Sequence, residues 1–387
     1  MHVVVLIDSL GSGGAQRQAV ELARRLVREH GLRVSFLVYH DYGFHAERLR
    51  EAGIPVRLVA RRGKADLAFP WRLRRALLAL APDVVHAFLL SPGLWGLVAL
   101  AGVRGARRPL FVAAERCEMS AYSPRELAVQ RFVYRRSDLV TANARNAARE
   151  IEERIGVPAE RVRYLPNGID LADWDRQAEA PCPLPLAPGR FHLALVGGFR
   201  PQKNHGLVLD ALEALPPARR ERLEVWFVGA EVDGAEYPRW VQAEIARRGL
   251  DGVVRTAPPT PAVPSLLRHL DALVLPSLYE GFPNVLLEAM ASSLPAIATP
   301  VGDVPGMLED GRTGLVVPLG RPDALAAALE RLIDLPEAER RALGARAREV
   351  VEARYRMEEI ARLHVELYRE GLAGLARRGR AAPDQCT

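Results

Sequence analysis

The chain has 387 residues, 49% of them apolar and 26% charged. This is the composition of globular domains, and it excludes a disordered chain, a collagen and a polytopic membrane protein. At roughly 100–200 residues per domain the length calls for two domains, each able to bury its own core. The net charge is +6, and all but two of its 53 cations, Lys64 and Lys203, are arginines, a bias that first reflects codon usage.

Residues 3–7 read as a buried strand that runs into Gly11-Ser12-Gly13-Gly14-Ala15-Gln16 and an amphipathic helix over 15–29. Glycines at such a turn let the backbone approach an anion at a helix N-terminus. As a G-x-G-x-x-G dinucleotide fingerprint the run is imperfect, because Gln16 holds the third glycine position, although Asp41 stands where a ribose-binding acid would. A tight turn without ligand and a dinucleotide site both remain open at this point. Further strands are expected at 34–39, 84–88, 110–114 and 139–142, so that strand, helix and strand alternate as in a parallel doubly wound sheet. The uncharged run 87–103 is diluted by Ser91, Pro92, Gly93, Gly96 and Gly102, which predicts a buried helix rather than a membrane span.

The proline-rich stretch 176–189 suits an interdomain linker. It divides the chain into a first domain over 1–180 and a second over 181–359, with a terminal helix over about 360–387 returning to the first. After the linker the strand pattern restarts at 193–196, 224–228, 253–255, 272–275, 296–298 and 315–317. Charge is unevenly shared: residues 1–180 carry 28 Lys or Arg against 20 Asp or Glu, a net of +8, and the remainder is −2. The densest basic group comprises twelve residues between Arg48 and Arg108. It reads either as solvated helix faces or as a surface for an anionic partner, a membrane or a phosphorylated acceptor.

The strongest chemical signal is the segment from Pro276 to Met290, which follows the strand at 272–275. Glu280 and Gly281 fall on the loop beyond that strand's carboxyl end, where parallel sheets bind ligands. Pro283 suits a first helical turn, which sets the amides of Asn284, Val285 and Leu286 to hold a phosphate. Glu288 stands among Leu286, Leu287, Ala289 and Met290. A carboxylate buried there needs a partner, and ribose hydroxyls would provide one.

Glu280 and Glu288 form an E-x7-E pair, and the surrounding stretch resembles retaining glycosyltransferases of family 4. Similarity extends along the chain through Gly13-Gly14-Ala15, Pro82-Asp83-Val84-Val85-His86, Pro166-Asn167-Gly168-Ile169-Asp170, Pro201-Gln202-Lys203-Asn204-His205 and Thr313-Gly314-Leu315-Val316-Val317-Pro318. The resemblance implies an α/β protein of GT-B fold, two Rossmann-like doubly wound domains facing a central cleft. It implies a hexosyltransferase that moves a sugar from a nucleotide diphosphate sugar to an acceptor hydroxyl with retention, without metal or other cofactor, in polysaccharide, lipid-linked glycan or other glycoconjugate synthesis. A UDP-sugar is the favoured donor. Glu280, Lys203, Arg200 and His86 are the catalytic candidates. Gly14, Gly281, Phe282, Pro283, Asn284, Val285, Leu286 and Glu288 are those for the donor, and Glu115, Arg116, Asn143 and Arg145 those for the acceptor.

Departures from the family pattern are Phe88 for a second histidine, Gly198 for the usual arginine, Pro258 and Ser293 for glycines, and Gly306 for a glutamate. A nucleotide-sugar epimerase and an NAD-dependent oxidoreductase using Gly11 to Gly14 are the alternatives. Asp173-Trp174-Asp175 is a formal D-x-D but precedes the linker, so it predicts no metal site. The basic half lacks any nucleic-acid-binding signature. Three cysteines, 117, 182 and 386, without a C-x-x-C pair and without a leader pattern before Asp8, suggest a cytoplasmic protein, and the basic first half allows a peripheral place on the inner face of the plasma membrane.

Overall fold

The computed structural model describes residues 1–381 except 12, 42, 64, 106–107, 118–121 and 233, with side chains described through residue 377. Ser12, Lys64, Arg107 and Cys386 therefore lie outside the described residues. The chain divides into two compact units, Met1–Gly168 with Met357–Thr387, and Ile169–Arg356.

The first unit holds a seven-stranded parallel sheet: β1 (His2–Leu6), β2 (Arg33–Val38), β3 (Val56–Leu58), β4 (Val84–Phe88), β5 (Leu110–Glu115), β6 (Leu139–Ala142) and β7 (Val162–Tyr164), in the order β3-β2-β1-β4-β5-β6-β7. The second holds six parallel strands: β8 (Phe191–Val196), β9 (Leu223–Val228), β10 (Val254–Ala257), β11 (Ala272–Leu275), β12 (Ala296–Ala298) and β13 (Leu315–Val316), ordered β10-β9-β8-β11-β12-β13. Strand order reverses between β1 and β4 in one sheet and between β8 and β11 in the other. Loops leaving two such strands diverge to opposite faces and open a crevice at their carboxyl ends. β3 and β7 escape sequence reading because each is a short run interrupted by an arginine, Arg57 or Arg163, and all three residues of β3 are exposed.

Alternation within the central strands builds two apolar layers per sheet. Val3, Val5 and Ile7 pack with the helix Gly14–His30 on one side, whereas Val4 and Leu6 join Phe69, Leu73, Leu77 and Phe111 on the other. Burying each such side chain contributes about 1.5–3 kcal/mol. The uncharged run 87–103 is shared between the end of β4 and the helix Leu90–Leu100. Among the described residues no helix is long and apolar enough to cross a membrane.

The terminal helix Met357–Ala381 belongs to the first unit. Met357, Ile360, Ala361, Val365 and Tyr368, at helical spacing, face the layer that contains the helix Gly14–His30. Gly371 lets it approach closely, since a Cβ there would stand 2.6 Å from Leu110 Cδ2.

The expected boundary at 180 moves to 168. Residues 169–180 join the second unit because the helix Leu171–Ala178 buries Trp174, whose indole donates to Ser292 Oγ at 3.0 Å. Nor does the proline-rich stretch hang free. Ser265 Oγ donates to the Ala180 and Pro181 carbonyls, each at 2.7 Å, the Ala187 amide donates to buried Glu224 at 2.9 Å, and Leu184 and Leu186 lie on the second unit's core. Prolines stiffen this segment, but apolar and polar anchoring decides where it lies. The D-x-D carboxylates are separately engaged, Asp173 by Arg176 and Gln177, and Asp175 by Arg348 at 2.8 Å.

Candidate active site

In the second unit, the loops after β8 and β11 leave the two strands that flank the reversal of strand order. This brings together side chains 77 positions apart in sequence. Lys203 Nζ lies 2.6 Å from Glu280 Oε1, and the Ser277 hydroxyl donates to the same oxygen at 2.7 Å. Glu280 is only 7% exposed and Ser277 is fully buried, so the carboxylate is held in a low-dielectric setting by a cation and a neutral donor. An ammonium has three donors, and Glu280 engages one of them.

Backbone contacts lock the two loops into one body. The Leu278 amide donates to the Gln202 carbonyl at 2.9 Å, Gln202 Nε2 returns a bond to the Tyr279 carbonyl at 2.8 Å, and Asn204 Nδ2 reaches the Pro276 carbonyl at 3.3 Å. Lys203 lies along Gly197, where a Cβ would stand 2.9 Å from its Cε. A side chain at 197 would displace the lysine. Arg200 is the N-terminal flank of the short 3-10 turn Pro201–Lys203 and is exposed. Gly198 packs against Val232 instead of supplying a cation.

The segment after β11 continues through buried Phe282, edge-on to Tyr355 at 5.6 Å, into the helix Asn284–Ala291. Pro283 occupies the cap position, one residue earlier than a first-turn proline. Of the three amides expected to hold a phosphate, that of Leu286 is turned back onto the Pro283 carbonyl at 3.1 Å. Glu288 lies in this helix and is 6% exposed. The E-x7-E pair is therefore two buried carboxylates, one on the loop and one on the helix.

Three further residues shape this site without standing out in the sequence. Thr299, fully buried after β12, donates to the Ser277 carbonyl at 2.6 Å. The Asp303 amide donates to the Gly281 carbonyl at 3.1 Å. Gly302 has φ +56°, and a Cβ on it would run into the Gly281 carbonyl and stand 2.5 Å from that of Glu280. The available signals were Ser277 within the Pro276 segment and a glycine just past a strand end. Gly302→Ala is expected to retain the fold yet lower turnover about 100-fold, because moving a reacting group by 1 Å costs about that much. Circular dichroism and steady-state kinetics check this, and unchanged turnover would show that the loop tolerates the shift.

The acceptor candidates lie in the first unit. Glu115 is buried and already receives the Arg116 amide at 2.7 Å, the Cys117 amide at 2.8 Å, the Tyr122 hydroxyl at 3.1 Å, the Tyr134 hydroxyl at 2.7 Å and Gln130 Nε2. Burial pushes its carboxyl above the usual range. Such a saturated carboxylate ties its neighbourhood together, which corrects the expectation of an acceptor-binding role. Arg116 stacks over Phe88 at 4.6 Å and donates to Asn167 Oδ1 at 2.9 Å, and desolvation lowers its pKa to about 10. Asn143 is buried, its amide donating to the Glu115 carbonyl at 3.4 Å, whereas exposed Arg145 lies over the Tyr164 ring at 4.4 Å.

His86 is also corrected. It sits in the middle of β4 at 0% exposure, with Nδ1 2.8 Å from the Tyr368 hydroxyl and Nε2 3.4 Å from Thr141 Oγ1. Burial holds its pKa well below the ordinary value. The terminal helix supplies Tyr368, so His86 is a packed core histidine. Gly14 opens the helix Gly14–His30 after Gly13, and the side chain of Gln16, at the missing glycine position, reaches Asp8 at 3.2 Å. Asp41 is exposed. Gly168 is fixed by Gln18, whose amide exchanges two bonds with the Gly168 backbone at 3.0 and 3.1 Å.

Residues 12–173 match the model described as Glycosyltransferase Family 4, and residues 190–334 match that of Glycosyl transferases group 1. The D-inositol 3-phosphate glycosyltransferase of Paenarthrobacter aurescens is 29% identical over 306 residues, 76% of this chain and 74% of that protein. The Geodermatophilus obscurus relative of the same description is 34% identical over 51% of this chain and 46% of its own length; that alignment spans about half of the relative. Among solved structures, Anabaena HepE in complex with UDP-glucose superposes with a TM-score of 0.81 at 22% identity, covering 96% of this chain and 100% of that one. Sucrose-phosphate synthase from Thermosynechococcus elongatus gives 0.77 at 20% identity, covering 97% and 100%. At these identities the structures speak for the fold, which is GT-B. The matched families lend no support to the epimerase or oxidoreductase alternatives. With one model of sugar-transfer enzymes on each sheet and buried Glu280 held beside Lys203, the chain is a glycosyltransferase of the family 4 type.

Proposed function

We propose that this protein transfers a sugar from a nucleotide diphosphate sugar to an acceptor hydroxyl with retention of anomeric configuration and without a metal. The observation that carries this reading is the Lys203–Glu280 pair, 2.6 Å apart on the loops flanking the strand-order reversal of the second sheet. Charge develops on the leaving diphosphate as the glycosidic bond breaks. A fixed ammonium, with the amides at the start of the helix Asn284–Ala291, would stabilise it without reorganisation. Glu280 would engage the donor sugar and Glu288 would accept hydrogen bonds from the ribose hydroxyls, an ionised carboxylate being a strong acceptor. A UDP-sugar is the favoured donor, and the complex of Anabaena HepE with UDP-glucose supports including it first. The acceptor is a glycan or lipid-linked hydroxyl compound, and the net +8 of residues 1–180 suits an anionic acceptor or membrane surface.

The test pairs UDP-, GDP-, ADP- and dTDP-sugars with an acceptor panel that includes D-inositol 3-phosphate, the acceptor named for the curated relatives, and reads products by mass spectrometry. Product with the donor's anomeric configuration by NMR, formed equally well with EDTA, is the expected result. Failure of every donor to bind or react would overturn the reading. Inverted product or loss of activity in EDTA would overturn its mechanistic part.

A further inference from the structure

The first unit exposes apolar side chains where a folded domain would ordinarily bury or omit them. Leu67 is 91% exposed and Trp71 76%, and Val56, Leu58, Leu78 and Val98 are also exposed. All six fall within residues 48–108, the stretch that holds twelve Lys or Arg against three Asp or Glu.

The helix Phe69–Leu80 organises part of this surface. Phe69, Leu73, Ala76 and Leu77 face the core, while Trp71, Arg75 and Leu78, at spacings of four and three, share the outward face. The turn before it is rigidly mounted. Asp66 receives the Arg62 amide at 2.7 Å and Arg72 Nη1 at 3.2 Å, Arg72 Nη2 also donates to the Ala60 carbonyl at 2.9 Å, and Arg61 lies over the Trp95 ring at 4.8 Å. Leu67 is thus an apolar tip on a braced turn. An indole and an aliphatic tip that project outward among arginines match a surface whose outer layer is anionic and whose interior is apolar.

We propose that the outward face of the helix Phe69–Leu80, with Leu67 at its leading turn, docks the protein on an anionic lipid bilayer, Leu67 and Trp71 entering the interface and Arg57, Arg62 and Arg75 meeting lipid phosphates. The proposal deepens the reading of the basic first half as a membrane-facing surface and rests on it. Charge complementarity selects the bilayer over a second copy of this chain, because two copies of so basic a face would repel.

The test is co-sedimentation of the full-length protein with vesicles of phosphatidylcholine alone or with about 30% phosphatidylglycerol, at low and high salt. Binding should require the anionic lipid and fall with salt. The Leu67→Ser/Trp71→Ser double variant should bind about tenfold more weakly or less, with an unchanged melting temperature because neither side chain is buried. Trp240→Ser, an exposed tryptophan of the second unit, should bind as the unaltered protein does. With brominated lipid, tryptophan fluorescence should be quenched in the unaltered protein, and that quenching should be lost in Trp71→Phe while sedimentation persists. Equal binding by the double variant would overturn the docking face and leave the membrane reading standing. No binding to anionic vesicles would overturn both. A dimer in solution that the double variant abolishes, without vesicle binding, would assign the face to a second copy and overturn the proposal.

Discussion

Replacing Lys203 by alanine is expected to lower turnover about 100- to 1,000-fold, the usual loss when one preorganised stabiliser of transition-state charge is removed. The variant loses the group 2.6 Å from Glu280 Oε1 and leaves that buried carboxylate with the Ser277 hydroxyl at 2.7 Å. Removing one member of a buried ion pair also costs stability, roughly 3–5 kcal/mol in fully buried cases. This pair is partly exposed on the lysine side, so the penalty here is smaller. Turnover must therefore be measured on folded protein, with donor affinity determined separately. Lys203→Arg is not expected to rescue activity. The lysine stem passes against Gly197, and a planar guanidinium is bulkier than an ammonium and makes a fork instead of a point contact. Near-normal turnover by Lys203→Ala would remove Lys203 from the mechanism, and near-normal turnover by Lys203→Arg would show that any cation at this position serves.

Acidification is expected to destabilise the first unit before the second. Burial lowers the pKa of His2, holds His86 well below the ordinary value, and pushes His45 down to about 4 and His364 to about 3, all in the first unit; His205, pushed down to about 4, is the corresponding residue of the second. Charges sharpen the effect. Arg116 faces both His86 and His364, and Arg17 and Arg48 face His45. His364 Nδ1 lies 2.8 Å from the Ile360 carbonyl, which can only accept, so the neutral ring keeps its proton there.

The sign follows from proton uptake. Above the unfolded-state value of about 6.5 these rings are neutral in both states, and they contribute no pH dependence. Below it the unfolded chain takes up protons that the folded chain refuses. Each such histidine then removes up to ~1.4 kcal/mol per pH unit until the pH reaches its folded value. Glu115 works in the opposite direction, because burial raises its carboxyl, but it is one group against four. Urea-unfolding midpoints should therefore fall steadily from about pH 6.5 to about pH 4.5, and His364→Phe should make the slope shallower. A flat profile would mean that the folded state accommodates the protonated rings.

Much of this molecule was legible in its sequence. Buried parallel strands are written as continuous β-branched runs, and those at 84–88, 139–142, 272–275 and 296–298 appear with the expected bounds. The position of Glu280 just beyond β11 followed from the same pattern. The edge strands β3 and β7 did not show because an arginine, Arg57 or Arg163, interrupts each three-residue run, so no continuous apolar stretch marks them. Ser293 illustrates the boundary between the two sources of information. The sequence marked it as a departure from glycine, and the structure gives the reason glycine is usual there, a backbone at φ +53°.

What the sequence determined by itself was local or periodic: two α/β domains, the loop and helix carrying Glu280 and Glu288, and an unusual lysine at 203. Tertiary structure decided which distant groups meet. Strand-order reversal at β8 and β11 set Lys203 against Glu280, Trp174 drew residues 169–180 into the second unit, and the terminal helix closed over His86 with Tyr368. Periodicity records which face of an element is buried. It does not record which element buries it, because that depends on packing between segments far apart in the chain.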